Sequence, residues 1–261
     1  VIRELSVFNW INSDTNKLTR DSVAYLIGMF GAELVGVASS GWGAVFHVVI
    51  LFSLITHAAL VGNHPSYRLF LVLALGPLIR IVSLTMPLEG FSQTYSFLLI
   101  SIPVLVGVLG YIRLLGLRPA EIGFTLGKIP IQVVVAIVGI GFGLADYFVL
   151  EPEPLVSELT WQKAVVPAII LMVSVGFVEE LLFRGVMQRV VGLLGSWGWV
   201  YIAVLYAVLQ IGHDSVLHCL LSFEIALFFG WVVKKWGSIL GVVVAHGLMN
   251  IYLYLIFPLV F

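Results

Sequence analysis

Apolar residues run along this chain in blocks of about twenty, separated by short polar stretches. A helix needs about 20 residues to cross the hydrocarbon core of a bilayer. Nine blocks read as candidate spans: 21–39, 41–62, 67–87, 95–115, 129–150, 164–187, 197–212, 216–233 and 237–257. The first and seventh are the weakest, and the first carries Glu33 and runs through Ser39-Ser40-Gly41 into the second, so eight spans is the alternative. The pattern predicts an all-α protein, a polytopic transmembrane helix bundle of about eight or nine spans.

The polar interruptions divide the chain. Residues 1–20 form a polar segment of mixed charge with no apolar signal-peptide core. The interruption Arg118-Pro119-Ala120-Glu121-Ile122-Gly123 then separates four spans within 21–118 from five within 119–261, and the latter group holds the candidate site. No internal repeat is visible. Gly139-Ile140-Gly141-Phe142-Gly143 and Gly28-x-x-Gly31 suit close approach of helices in lipid, since neither follows a strand as a cofactor loop would.

Composition agrees with a membrane protein. Hydrophobic residues make up 61% and charged residues 10%, against about 25% charged in soluble domains. A net charge of −1 gives no bulk attraction to nucleic acid. The single cysteine, Cys219, excludes an internal disulfide.

Loop charges give the expected orientation. With the N-terminus cytoplasmic, the inside segments hold Arg3, Lys17 and Arg20, then Arg68, then Arg113, Arg118 and Lys128, and later Arg189, Lys234 and Lys235. The outside loops are 88–94, with Glu89, and 151–163, with Glu151, Glu153, Glu158 and a lone Lys163. Lysine and arginine accumulate on the cytoplasmic side of membrane proteins.

Against that apolar background, three polar clusters in the C-terminal half carry candidate chemistry. Glu179 and Glu180 sit mid-span, with Arg184 one turn later. A carboxylate at that depth costs roughly 2.5–3.5 kcal/mol on insertion scales, so such residues pair or serve a function. Glu180 and Arg184 stand at i and i+4 and can pair, which leaves Glu179, about 100° round the helix, free for proton chemistry.

The second cluster is Gln210-Ile211-Gly212-His213-Asp214, where Gln210 and His213 share a helix face. The third is His246-Gly247-Leu248-Met249-Asn250, where His246 and Asn250 can point into one cavity.

A glutamate base, histidines and an asparagine donor suffice for amide hydrolysis. The carboxylate takes a proton from water, histidine assists, and Asn250 with His246 supports the developing oxyanion. The same carboxylate and imidazole groups could instead hold a divalent metal, and their spacing does not choose between the two. No His-Glu-x-x-His is present. Each cluster also has a structural explanation: an ion pair, an interfacial histidine, or hydrogen bonding between helices. Glu33, His47, His57, Arg80, Asp146, His218 and Glu224 read first as helix-pairing or snorkelling groups, with Arg80 neutralising Glu33.

Glu179-Glu180-Leu181-Leu182-Phe183-Arg184-Gly185 resembles the signature of the CPBP family of intramembrane proteases, which comprises type II CAAX prenyl endopeptidases and the Abi proteins of bacteriocin processing and self-immunity. His246-x-x-x-Asn250, preceded by Gly237-Ser238-Ile239-Leu240-Gly241, resembles its closing motif, and the resemblance covers about 164–257. It implies that Glu179 activates water, that Glu180 and Arg184 support it, and that His246 and Asn250 stand on the oxyanion side. The family's middle motif is an aromatic, three residues, then histidine. Here Tyr206-Ala207-Val208-Leu209 leads to Gln210, which can serve neither as base nor as imidazole ligand, with His213 one turn on.

The resemblance therefore implies a glutamate-dependent intramembrane endopeptidase of CPBP type, cutting near the cytoplasmic side with Glu179, His213, His246 and Asn250 as catalytic residues. Its substrate would be a prenylated tail, a leader peptide or a membrane-anchored protein. Gln210 favours an alternative, a CPBP-fold scaffold or accessory subunit of a larger membrane complex. A proton-relay transporter is weaker, for want of inverted repeats. The orientation is testable in a Cys219→Ser background: single cysteines placed in 113–128 should label only from the cytoplasmic side, and those in 151–163 only from the opposite side.

Overall fold

Backbone amides in hydrocarbon must find partners within the chain, and a helix supplies them without leaving its own segment. In the computed structural model the apolar blocks accordingly form helices, with no strand among the described residues. The structure describes residues 2–62, 64–212 and 215–261, with side chains from residue 15 onward. His213 and Asp214 lie outside the described residues, as does the side chain of Arg3.

The N-terminal helices are α1 (Ile2–Ala38), α2 (Ser40–Val61), α3 (Tyr67–Leu73), α4 (Leu75–Thr85) and α5 (Gln93–Leu115). Then come α6 (Ile129–Leu150) and α7 (Trp161–Ile170), and α7 continues through irregular turns into α8 (Gly198–Val208). The last helices are α9 (Val216–Trp236) and α10 (Leu240–Ile251), and α10 runs on through a wide turn, Tyr252–Ile256, to Val260. Two element boundaries depart from the sequence pattern. Residues 2–20 of the polar segment are helical and continuous with the first span, and the block 67–87 is divided at Ala74.

Eight helical stretches among the described residues are long and apolar enough to cross a bilayer, so the chain is an integral, multi-pass membrane protein. One stretch, Trp161–Val208, has 48 residues. Straight, it would reach about 72 Å, more than twice the hydrocarbon thickness of about 30 Å. It bends at Gly195, whose φ of +84° and ψ of −157° suit glycine alone. Beyond the bend, Gly198 lies against the Val191 carbonyl, too close to admit a side chain. The expected sixth and seventh spans are the two arms of this bent helix. The first two blocks are likewise separate helices, divided at Ser39, whose Oγ accepts a hydrogen bond from the Trp42 amide and caps α2.

The core sits in the C-terminal half. The membrane-length windows of Trp161–Val208 and Leu240–Val260 are 56% buried, against 22% for α1, α2, α5 and α6. Lipid takes up the remaining apolar surface, on residues such as Ile27, Phe52, Val106 and Ile137. One hydrophobic cluster, running from Met29 and Leu54 to Phe229 and Met249, joins the N-terminal helices to the C-terminal ones.

Two polar devices hold this arrangement in lipid. Glu33 on α1 receives both Nε and Nη2 of Arg80 on α4, at 2.6 and 2.8 Å, and lies 3.0 Å from Nε2 of His47 on α2. All three side chains are buried, and Arg80 neutralises Glu33 as the sequence suggests. The other device is the glycine face of α6 against α10. A methyl on Gly139 would overlap the Ala245 carbonyl, and one on Gly143 would stand 2.6 Å from the Met249 carbonyl oxygen.

Gly141, between them, has nothing within 4 Å of such a methyl. Gly139→Ala should therefore lower stability by about 1–3 kcal/mol through overpacking. Gly141→Ala should leave it unchanged or raise it by up to about 1 kcal/mol, the helix-propensity difference. Thermal unfolding of the detergent-solubilised variants reads the contrast.

Candidate active site

The site begins with an irregular helix. Past Pro167, which has no amide hydrogen to give to the helix ladder, the chain forms two wide π turns, Leu171–Phe177 and Leu181–Met187. Between them stands a single α turn, Val178–Glu180. Wide turns of this kind are frequent at functional sites. In this stretch the two adjacent glutamates have different surroundings: Glu180 is wholly buried, whereas Glu179 keeps surface on a cavity of about 240 Å³.

One oxygen of Glu180 is taken up by structural contacts. Its Oε1 accepts Nη1 of Arg184 at 3.0 Å and lies 2.8 Å from Nδ1 of His246 on α10. Arg184 is 3% exposed and stands over the rings of Tyr206, Phe229 and Phe183, with its guanidinium carbon 5.0, 5.6 and 5.8 Å from their centroids. Its Nη2 donates to the Ala226 carbonyl on α9. Ring faces and a carboxylate together replace the water this cation would otherwise need.

Glu179 makes a different contact. Its Oε2 accepts a hydrogen bond from the Tyr206 hydroxyl, at 3.2 Å, across from α8. Tyr206 is itself fixed edge-on against Phe183, with ring centroids 4.9 Å apart. His246 and Asn250 border the same cavity. With Nδ1 of His246 turned to Glu180, its Nε2 is the ring nitrogen left for a ligand. Asn250 Nδ2 donates to the His246 carbonyl, one turn back on its own helix, at 3.0 Å.

The structure thus gathers Glu179, Gln210, His246 and Asn250 around one cavity, with Glu180 and Arg184 packed behind it. His213 lies outside the described residues. Tyr206, Asp146 and His218 line the cavity without having been among the expected site residues. Tyr206 carries the only signal within a motif, as the aromatic of Tyr-x-x-x-Gln. Asp146 and His218 also line the cavity and pair with each other, Nδ1 to Oδ1, at 2.9 Å. Their signal was two ionisable residues in separate apolar blocks. Among the described residues, no three His, Cys, Asp or Glu side chains converge as metal ligands would.

Residues 161–252 match the family model described as Type II CAAX prenyl endopeptidase Rce1-like, in agreement with the CPBP resemblance. No curated protein and no solved structure matches the chain. The matched stretch holds Glu179, Glu180, Arg184, Tyr206, His246 and Asn250 together, and this family suggests an intramembrane endopeptidase of the CAAX-protease type.

Removing one partner of a buried ion pair strands the other and costs about 3–5 kcal/mol. Arg184→Ala should accordingly lower the thermal midpoint or the yield of folded protein sharply. Glu179→Gln, which can still accept the Tyr206 hydroxyl, should fold nearly as well as the parent chain. The opposite ranking in a thermal-shift measurement would mean that the two glutamates have exchanged roles.

Proposed function

We propose that this protein is a glutamate-dependent intramembrane endopeptidase in which Glu179 is the general base. One observation carries the reading: of two neighbouring carboxylates, Glu180 is engaged through one oxygen by Arg184 and His246, and Glu179 borders a cavity with a single tyrosine hydroxyl on it. A buried carboxylate in an otherwise apolar span is kept at a cost, and one left on a cavity has a task to perform.

The chemistry follows from the geometry. Water in the cavity gives a proton to Glu179 as its oxygen adds to the peptide carbonyl carbon. Tyr206 holds the carboxylate in one orientation and keeps its second oxygen turned to the cavity. The Asn250 amide stands on the side where the oxyanion develops, with the ring of His246 beside it, and a donor fixed in place there needs no reorganisation during the reaction. Glu179 then delivers its proton to the departing nitrogen, and the carbon–nitrogen bond breaks. His213, by its place in the sequence, is a further candidate for proton transfer.

The substrate class follows from the setting. Site and cavity lie among membrane helices, so the scissile bond must belong to a chain held in the bilayer. The family match favours a prenylated C-terminal tail, ahead of a leader peptide or another membrane-anchored protein. With the N-terminus in the cytoplasm, cleavage falls near the cytoplasmic face.

A second reading, a scaffold or accessory subunit of CPBP fold, has one observation in its favour. Gln210 borders the cavity at the place where the family's middle motif has histidine.

The test is hydrolysis of a farnesylated peptide by the protein in liposomes. Glu179→Gln should abolish turnover while the protein stays folded. Tyr206→Phe, which deletes one hydrogen bond of about 0.5–1.5 kcal/mol, should lower kcat by up to about tenfold. Wild-type protein that leaves the peptide intact would favour the scaffold.

A further inference from the structure

We propose that Asp146 and His218 form a second proton-handling group in the cavity of Glu179, with His218 as a catalytic residue and Asp146 as the group that positions it. The assignment rests on the peptidase reading above and adds to it.

The pair spans two helices. Asp146 lies near the end of α6 and is 2% exposed; His218 lies in the first turn of α9 and is 8% exposed. Ser215 caps α9 by accepting the His218 amide on its Oγ at 3.1 Å, which fixes where the imidazole starts. Asp146 Oδ1 stands 2.9 Å from Nδ1. A carboxylate on Nδ1 holds the ring in the tautomer with its hydrogen there and leaves Nε2 as the basic nitrogen, the same division of labour as in a Ser-His-Asp triad.

Two further observations separate this pair from a purely structural one. Both members border the same cavity as Glu179, Tyr206 and Asn250, whereas Glu33 and His47, also a buried carboxylate and imidazole, do not. The other imidazole on the cavity, His246, already has Nδ1 engaged by the Glu180–Arg184 pair. Gln210 does not titrate.

Hydrolysis supplies the task. Water brings two protons, and both end on the amine. Glu179 takes the first as the carbon–oxygen bond forms and returns it to nitrogen as the carbon–nitrogen bond breaks. The second remains on the added hydroxyl. His218 Nε2 accepts it as the carboxylate product forms, and then gives it to the free amine. The imidazole ends as it began, Asp146 stabilises the imidazolium in between, and the products are a carboxylate and an ammonium.

The test uses full-length protein in liposomes and the same farnesylated peptide. His218→Ala should lower kcat by about 10²–10⁴-fold, the usual worth of acid–base assistance, with little change in KM. Added imidazole should restore part of the rate, which a merely structural residue would not allow. Asp146→Asn should lower kcat by a smaller factor. Should His218→Ala fail to fold, His218→Gln keeps an amide beside Asp146 and should fold yet lose the same activity.

Turnover near the wild-type rate in folded His218→Ala or His218→Gln overturns the assignment and leaves the peptidase reading standing, as does turnover that needs His213 and not His218. No turnover by the wild-type chain, with Glu179→Gln indistinguishable from it, overturns both.

Discussion

Arg184 is the cation on which the site depends. At 3% exposure it has exchanged water for the Glu180 carboxylate, the Ala226 carbonyl and three aromatic rings. Those partners come from four places in the chain: its own helix, α8 through Tyr206, α9 through Ala226 and Phe229, and α10 by way of His246 on the same carboxylate oxygen. Burying an ion pair gains little over apolar packing, but stranding half of one is expensive. The cluster therefore ties these helices to one another. Arg184 also borders a second cavity, of about 320 Å³, with Gln188, Arg189 and Lys234 on its wall.

The N-terminal helices contribute to the site through a second buried cation. Arg80, clamped on Glu33, lines the cavity. The turn after α8 rests on the same pair: a methyl on Gly212 would stand 2.8 Å from Arg80 Nη2 and 3.3 Å from Glu33 Oε2. Gln210 belongs to that turn, which thus touches spans that lie outside the matched family segment. Tyr201, earlier on α8, donates its hydroxyl to the Ser22 carbonyl of α1 at 2.8 Å and ties the two halves together again.

The fold was legible in the sequence wherever a single physical rule decides. Block length predicted helices and their approximate ends, because hydrocarbon leaves the backbone no other choice. The pairings of Glu180 with Arg184 and of Glu33 with Arg80 followed from the cost of a bare charge in lipid. What escaped depends on the path of the backbone. The π turns on either side of Val178–Glu180 have no residue signature. The bend at Gly195 is one glycine among 26, and only its φ distinguishes it. Asp146 and His218 stand 72 residues apart. Each was visible as an ionisable group in an apolar block, but their meeting on the cavity that Glu179 also borders requires the packing of α6 against α9.

The balance of charge inside the membrane explains why the chemistry belongs to one place. Two carboxylates, Glu33 and Glu180, have arginine partners and are neutralised within the helix packing. Two others, Glu179 and Asp146, have a hydroxyl and an imidazole as hydrogen-bond partners, and both open on the same cavity. A chain selected for stability alone would replace these two with apolar residues of similar volume, as buried ionic groups can be replaced at no loss. Their retention on a shared cavity, beside the amide of Asn250 and the second nitrogen of His246, places the uncompensated polar groups where a peptide bond and a water can meet them. The structural pairs hold the helices, and the groups they leave unneutralised are those able to move protons.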